Sequence, residues 1–385
     1  MKPAAAFLAP IVACLALWGC AEDGDVQDDE DSAESGSSCT VTPPAGWSAP
    51  DWDANTTEAL ALRASLDTLV GTMRMAEEGM APVDDVAQLE ALFAAGSPSL
   101  ASITTPRYAP IVQASFVEFV DVAAAGAQDL VDDDGQWMPG AAGGIYGADF
   151  RGINEGGLEV RQLVDKGLFS GGALYRHATT LTTTEIDEAT IDALAALWGA
   201  NSALDSAGEL TDAANYTFEM GYHADIADAL VAAKAYAGDA ACAAERDDAI
   251  RTFFRTWELA MFARFVFYAN ESAAQVELGT TDDDFAGALH ELGEGLGLAL
   301  GFYGVEHPDE GPLAGEGRVV TDAQLDAIAA AMGVDTAALG MSTTGEFVGS
   351  YLDFVDAVVV AEGVVADAFG LADADLDAFR APTPG

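Results

Sequence analysis

Long windows of this chain repeat apolar residues at three- and four-residue spacing, and this periodicity limits the folds that it can adopt. In the longest window, large apolar side chains recur about once per helical turn: Phe253, Trp257, Met261, Phe265 and Tyr268. Alternating valine-rich runs, which are typical of strands, are scarce. The sequence therefore predicts an all-α fold, either one multi-helix bundle or two adjoining bundles, with this stripe in the core.

The same periodicity predicts the positions of the individual helices. They are expected over Thr56–Glu78, Val83–Ala95, Tyr108–Ala125, Gly156–Phe169, Glu185–Trp198, Tyr216–Tyr236, Cys242–Asn270, Asp284–Tyr303 and Glu346–Phe369. A short helix should begin after Thr321, since Gln324 completes a capping box. The segment Asp129–Gly157 holds Pro139 and eight glycines and predicts a long loop.

Three glycines recur at intervals of four residues in one predicted helix. Gly293, Gly297 and Gly301 would align on a single face and leave a groove without side chains. Charged residues in the same segment, among them Glu291, argue against a membrane-spanning helix. The spacing therefore predicts that another helix packs closely against this one.

The N-terminus has the features of a bacterial export signal. One positive charge at Lys2 precedes the apolar run Ala4–Trp18, which is too short for an ordinary membrane helix. The run ends in Leu17-Trp18-Gly19-Cys20, which resembles the lipobox of bacterial lipoproteins. The resemblance implies that Cys20 is lipidated and anchors the mature chain in the bilayer, and Ala21 favours the outer membrane; the alternative is an ordinary secretory signal.

Composition divides the chain into four segments. Residues 1–19 form the expected signal peptide, and residues 20–48 form an acidic tether with too few apolar side chains to fold. Residues 49–375 are expected to form the helical domain, and residues 376–385 a C-terminal tail. The chain carries 64 Asp+Glu against 15 Lys+Arg, a formal net charge of −49, so nucleic acid is excluded as a partner.

Four cysteines leave one possible disulfide in the mature chain. Cleavage removes Cys14 and lipidation uses Cys20, so Cys39 and Cys242 remain. In an oxidising envelope these two can pair, but the sequence leaves open whether they meet.

Several segments from Gly152 onward resemble the lipoprotein family called domain of unknown function 4856. A glutamate and a glutamine, Glu159 and Gln162, stand ahead of the Lys-Gly-Leu step at Lys166, and a Trp-Glu pair occurs at Trp257 in a long helix. The resemblance covers roughly residues 108–332. It implies a helical lipoprotein of the cell envelope.

That family in turn resembles the imelysins, helical envelope proteins linked to iron and haem uptake, whose signature is Gly-x-His-x-x-Glu. Gly221 and His223 fit the signature, but Ile226 stands at the glutamate position. Around His290 the carboxylates do not have the required offset. An imelysin-type metal site is therefore not implied for this chain.

Four side chains are nevertheless candidates for binding iron or zinc. His290 and Glu294 lie one helical turn apart in a segment that resembles the His-Glu-x-x-His motif of zinc peptidases, although the second histidine is missing. Glu219 and His223 have the same spacing and could supply the other half of a site between helices. The alternative is two exposed polar pairs on separate helices.

A run of acidic residues resembles part of a calcium loop. It comprises Asp132, Asp133, Asp134 and Gly135, without the spacing or the closing glutamate of an EF-hand. An ordinary solvated acidic turn is the alternative.

The sequence therefore supports two main hypotheses about function. The first is a non-enzymatic envelope lipoprotein that binds a small ligand or an envelope protein, linked to iron or haem uptake through the resemblance. The second is an imelysin-like metal-binding protein or metallopeptidase, which requires Glu219, His223, His290 and Glu294 to converge. A purely structural role is a third alternative.

Overall fold

The computed structural model describes residues 38–130, 143–205, 212–341 and 351–382 of the chain. Most of these residues are helical, so the all-α prediction is confirmed. The α-helices are α1 (Trp52–Asn55), α2 (Thr57–Glu77), α3 (Val86–Phe93), α4 (Leu100–Ile103), α5 (Ala109–Ala125), α6 (Val160–Gly167), α7 (Leu174–Leu181), α8 (Glu188–Trp198), α9 (Asp212–Glu219), α10 (His223–Ala237), α11 (Ala243–Leu278), α12 (Asp282–Leu300), α13 (Asp322–Ala331), α14 (Tyr351–Phe369) and α15 (Asp373–Arg380).

Helix α11 is the axis of the bundle. It has 36 residues and packs against α10, α12, α14 and α15. The stripe predicted from its sequence lies in the core, since Phe253, Trp257, Met261, Phe265 and Tyr268 are all buried. The prediction of a core stripe is confirmed.

The glycine groove of α12 brings this helix close to α6. A Cβ atom added to Gly297 would lie 2.5 Å from the carbonyl oxygen of Gln162, and one added to Gly301 would lie 2.5 Å from that of Gly167. Side chains would therefore keep the two backbones apart. The predicted close packing is confirmed, and its partner is α6 together with the π-helical turn Leu168–Gly172 that continues it.

Two predicted elements differ from the structure. The helix expected over Tyr216–Tyr236 is broken into α9 and α10, because Gly221 adopts a left-handed φ of 81° between them. The described part of the glycine-rich segment contains an antiparallel hairpin, β1 (Gly144–Tyr146) paired with β2 (Arg151–Ile153). A second hairpin joins β3 (Val334–Asp335) to β4 (Gly340–Met341).

The ends of the folded part also differ from the expected boundaries. Helix α15 extends through Arg380 and so covers half of the expected tail over residues 376–385, where Leu376 and Phe379 are buried. At the other end, Cys39 and Cys242 form a disulfide with a Cα–Cα distance of 4.6 Å. The described residues from Ser38 onward form a single compact unit rather than two adjoining bundles.

Three predictions concern residues outside the described ranges. They are the signal peptide over residues 1–19, lipidation of Cys20, and the acidic run from Asp132 to Gly135. Among the helices that the structure describes, none is both long enough and apolar enough to cross a bilayer.

Candidate functional site

The structure does not bring the four predicted metal ligands together. The ring of His223 stacks on Trp198, and its Nε2 atom lies 3.1 Å from the carbonyl oxygen of Leu204. Glu219 ends α9 and His223 begins α10, so the two are not one turn apart on a continuous helix. Among the described residues, no group of three or more His, Cys, Asp or Glu side chains could hold a metal ion.

Glu219 and Glu294 nevertheless belong to one polar network. Arg264 lies 3.1 Å from Glu219 and donates a hydrogen bond of 3.1 Å to the hydroxyl of Tyr268. Tyr268 in turn contacts the hydroxyl of Tyr216 at 3.3 Å and bonds to Glu294. Two of the four candidates are thus connected through other side chains, whereas His223 lies apart.

His290 is held in place by a buried carboxylate. Its Nδ1 atom lies 2.7 Å from Oε2 of Glu159, which is fully buried. A carboxylate accepts hydrogen bonds, so we place the proton on Nδ1. Gln162 donates to the other oxygen of Glu159 at 3.1 Å. The Nε2 atom of His290 has no such partner and lies 3.7 Å from Oε1 of Glu294.

The packing of α6 against α12 produces this pairing. Glu159 precedes the first residue of α6, but its side chain does not cap the helix. It turns toward α12 instead, where Gly293 leaves room; a Cβ atom there would lie 3.3 Å from Cβ of Glu159. The glycine face of α12 therefore lets His290, almost one turn earlier, reach Glu159.

Arg161 connects this pair to α2. Its guanidinium lies 2.5 Å from Glu159 and 2.6 Å from Glu77 at the end of α2. Burial raises the pKa of Glu77, against the opposing effect of Arg161. For Glu159, burial acts to raise the pKa, but Arg161 and His290 outweigh it and lower the value. Glu159 is therefore the ionised partner that orients His290.

These side chains form one wall of a pocket of about 350 Å³, which we call the His290 pocket. It is enclosed by the end of α2, the turn of the first hairpin, α6 and α12. Its lining residues are Arg74, Glu77, Glu78, Asp149, Phe150, Arg151, Arg161, Gln162, Asp165, Lys166, His290 and Glu294. Of these described residues, Phe150 alone is apolar.

The charges of the His290 pocket are paired with one another. The pocket is lined by four bases and five acids. Because the whole chain has 15 Lys+Arg against 64 Asp+Glu, the wall of the pocket is far closer to neutral than the chain as a whole. The ion pairs are Arg74 with Glu78 at 3.0 Å, Arg151 with Asp149 at 3.4 Å, Arg161 with Glu77, and Lys166 with Asp165 at 3.2 Å and Glu294 at 3.1 Å.

Two lining residues keep polar atoms without a hydrogen-bond partner. Oε1 of Gln162 and Oε1 of Glu77 are both buried and unbonded. Such atoms are uncommon in folded proteins, because a buried polar atom without a partner costs free energy. The oxygen of Glu77 lies beside Gly152, where a Cβ atom would stand 2.5 Å away. Oε1 of Gln162 is therefore the clearer candidate for a contact with a ligand.

A second cleft, of about 390 Å³, has polar groups that already bond to protein atoms. Glu258 accepts hydrogen bonds from the backbone N–H groups of Val319 and Val320, at 3.1 and 2.9 Å. His307 lies 3.0 Å from the carbonyl oxygen of Glu316 through Nδ1 and 3.3 Å from the hydroxyl of Tyr175 through Nε2. The His290 pocket is therefore the better candidate for a functional site.

Sequence reasoning identified His290 and Glu294 as candidates but not their partners. Glu159, Gln162 and Lys166 were noted for their place in a family motif, with no role in a site. Arg161 and Glu77 carried no signal, because neither belongs to a recognisable motif. The sequence pattern that indicated a site in this region was the pair of His290 and Glu294 on a helix with a glycine-rich face.

Comparison of the chain with protein-family models, curated proteins and solved structures finds no match.

Proposed function

We propose that this chain is a lipid-anchored protein of the cell envelope whose helical domain binds a small polar ligand in the His290 pocket. One observation carries the proposal: a buried carboxylate holds Nδ1 of His290, whose ring lines a polar pocket and has only Oε1 of Glu294, at 3.7 Å, beside Nε2. Fixing a ring in this way lowers the entropy cost of binding. The resemblance to the domain of unknown function 4856 supports the envelope location.

The described lining residues supply no hydroxyl, thiol or unprotonated lysine as a nucleophile. No Ser, Thr or Cys is among the described residues that line the pocket. Lys166 is the remaining nitrogen nucleophile besides His290, and although burial lowers its pKa, Asp165, Tyr216 and Glu294 raise it well above its ordinary value. A lysine that stays protonated does not attack a substrate.

The arrangement also disfavours a metal ion at Glu294. The ammonium of Lys166 lies 3.1 Å from the same carboxylate oxygen that is nearest to His290 Nε2. A divalent cation at this point would stand close to a positive charge, and the two would repel each other.

Thermal unfolding of the full chain with a library of small polar compounds tests the ligand site. A ligand at a hundred times its Kd should stabilise the folded state by about 2.7 kcal/mol, a shift of a few degrees in Tm. We expect the shift in the wild type and in His177→Gln, whose ring contacts Glu58 elsewhere. We expect none in His290→Gln.

Two outcomes would count against this ligand site. A library without any stabilising compound contradicts it, and so does a shift that His290→Gln retains. Iron and zinc salts belong in the same library. A metal-induced shift that both His290→Gln and His223→Gln lose would support the metal-binding alternative instead.

Labelling of bacteria with radioactive palmitate tests the lipid anchor. We expect label on the wild type and on Cys14→Ala, and none on Cys20→Ala, because Cys20 follows the lipobox-like residues. Equal labelling of the Cys20→Ala variant would contradict the anchor without affecting the ligand site.

A further inference from the structure

The charges of the His290 pocket restrict the class of ligand that it can bind. Each of its four bases already contacts a carboxylate, and each of its five acids contacts a base. An ionic ligand that contacts Arg161 or Lys166 would have to break a largely buried pair and leave a charge without its partner, which is costly. The pocket therefore favours an uncharged ligand.

The atoms without partners specify hydrogen-bonding groups on that ligand. Gln162 is 2% exposed, and its amide nitrogen is used by Glu159, so its unbonded Oε1 requires a donor. With the proton on Nδ1, Nε2 of His290 accepts a hydrogen bond, and in the protonated ring it donates one. A hydroxyl group satisfies both residues in either state, because it is donor and acceptor at once.

The one apolar residue among the described residues that line the pocket specifies a second property of the ligand. Phe150 is 46% exposed and has a φ of 56°, a left-handed conformation that is strained for an aromatic residue. It occupies the hairpin turn between β1 and β2, so its ring stands beside an otherwise polar lining. Strained residues are found more often at functional sites than elsewhere. An exposed ring here can stack on a ligand that has an apolar face.

We propose that the ligand of the His290 pocket is a neutral saccharide, an inference that rests on the function proposed above. A pyranose carries hydroxyl groups around its edge, for Gln162 and His290, and a face of C–H groups that packs on an aromatic ring such as Phe150. A monosaccharide or disaccharide is of a size that suits about 350 Å³.

Isothermal titration calorimetry on the full chain tests this inference. The probes are glucose, galactose, mannose, N-acetylglucosamine and cellobiose, with glutamate and citrate as charged compounds. We expect at least one of the neutral saccharides to bind and the charged compounds not to bind.

Phe150→Gly is the decisive variant. Glycine accepts a positive φ, so the variant should unfold at a temperature no lower than the wild type, while losing the ring should weaken saccharide binding about tenfold. The matched control is Val360→Ala, which truncates an exposed apolar residue on α14 outside the pocket and should bind as the wild type does.

The outcomes separate this inference from the function on which it rests. If none of the five saccharides binds, or if Phe150→Gly binds as tightly as the wild type, the inference is wrong. A charged compound whose binding depends on His290 would overturn the saccharide but leave a polar-ligand site in place. If the neutral probes, the charged probes and the wider library all fail to bind, both proposals are wrong.

Discussion

Arg161 lies between two carboxylates that are almost completely shut away from water, Glu77 and Glu159. Burying a charge is costly unless an opposite charge compensates for it; here the guanidinium compensates for the ionised Glu159, whereas burial raises the pKa of Glu77 to about 8. The same side chain therefore stabilises the fold and keeps Glu159 ionised next to His290. Arg161 therefore affects both the stability of the fold and the binding of a ligand in the His290 pocket.

We predict that Arg161→Met lowers the free energy of unfolding at pH 7 by about 3–5 kcal/mol, because the buried, ionised Glu159 loses its charged partner and Glu77 loses a hydrogen bond. The loss should shrink as the pH falls, because without Arg161 the buried Glu159 binds a proton at a higher pH than it does in the wild type. Urea unfolding followed by circular dichroism measures both effects. Arg74→Met is the control; this arginine is 70% exposed, and its removal should cost less than about 1 kcal/mol. Equal losses in both variants would contradict the role of Arg161.

Glu258 predicts a pH dependence of stability. Burial raises its pKa to about 7, although the N–H groups of Val320 and Val319 act to lower it. The folded chain therefore holds a proton that the unfolded chain releases above about pH 4.5, and stability should fall as the pH rises from about 4.5 to 7. Relative to the wild type, Glu258→Gln should gain up to about 3 kcal/mol over this range in unfolding titrations.

The control for Glu258 comes from the same cleft. Glu316→Gln changes a residue that is exposed in the folded chain, so the fall in stability between about pH 4.5 and 7 should persist in this variant. A Glu258→Gln variant with the wild-type profile would show that the carboxylate does not titrate in this range.

Among the secondary-structure elements, α12 depends most on small residues. Its glycines allow the contact with α6 that brings His290 to Glu159, so helix packing and pocket geometry have the same origin. In an isolated helix these glycines would be unfavourable. Their cost is offset by the close packing that they permit.

We predict opposite effects for two Gly→Ala substitutions within helices. Gly297→Ala places a Cβ atom 2.5 Å from the backbone oxygen of Gln162 and should destabilise the chain by about 1–3 kcal/mol or more. Gly363→Ala in α14 meets no atom within 4 Å and should stabilise by up to about 1 kcal/mol through helix propensity. Chemical denaturation of both variants provides the comparison, and destabilisation of similar size in both would contradict a packing role for Gly297.

For the molecule as a whole, the disulfide ties the beginning of the described chain to the turn before α11. Cys39 and Cys242 are separated by 203 residues, and Cys242 is fully buried. A crosslink over so long a separation restricts the unfolded chain strongly. It also shows that the acidic tether expected over residues 20–48 ends by Cys39 at the latest.

We predict that replacing both cysteines with alanine lowers the free energy of unfolding by about 2–5 kcal/mol. A reducing agent should have the same effect on the wild type and none on the double variant. Guanidinium titrations with and without dithiothreitol test this. A wild type that is equally stable in both conditions would show that the crosslink does not contribute.

The sequence by itself determined the fold class, most helix positions, the core stripe of α11, the capping box before α13 and the close packing of α12. These features follow from periodicity and spacing within one helix, which are local properties of the chain. Its prediction of a lipid on Cys20 concerns residues that the structure does not describe.

Only the tertiary structure decided which polar side chains meet. Glu159 and His290 are 131 residues apart, and Glu77 and Arg161 are 84 apart, so no local pattern could pair them. The same holds for His223, which shares a plausible spacing with Glu219 but turns to the carbonyl of Leu204. Contacts between distant helices depend on how their backbones pack, and that packing gives the His290 pocket its charge balance and its unpaired atoms.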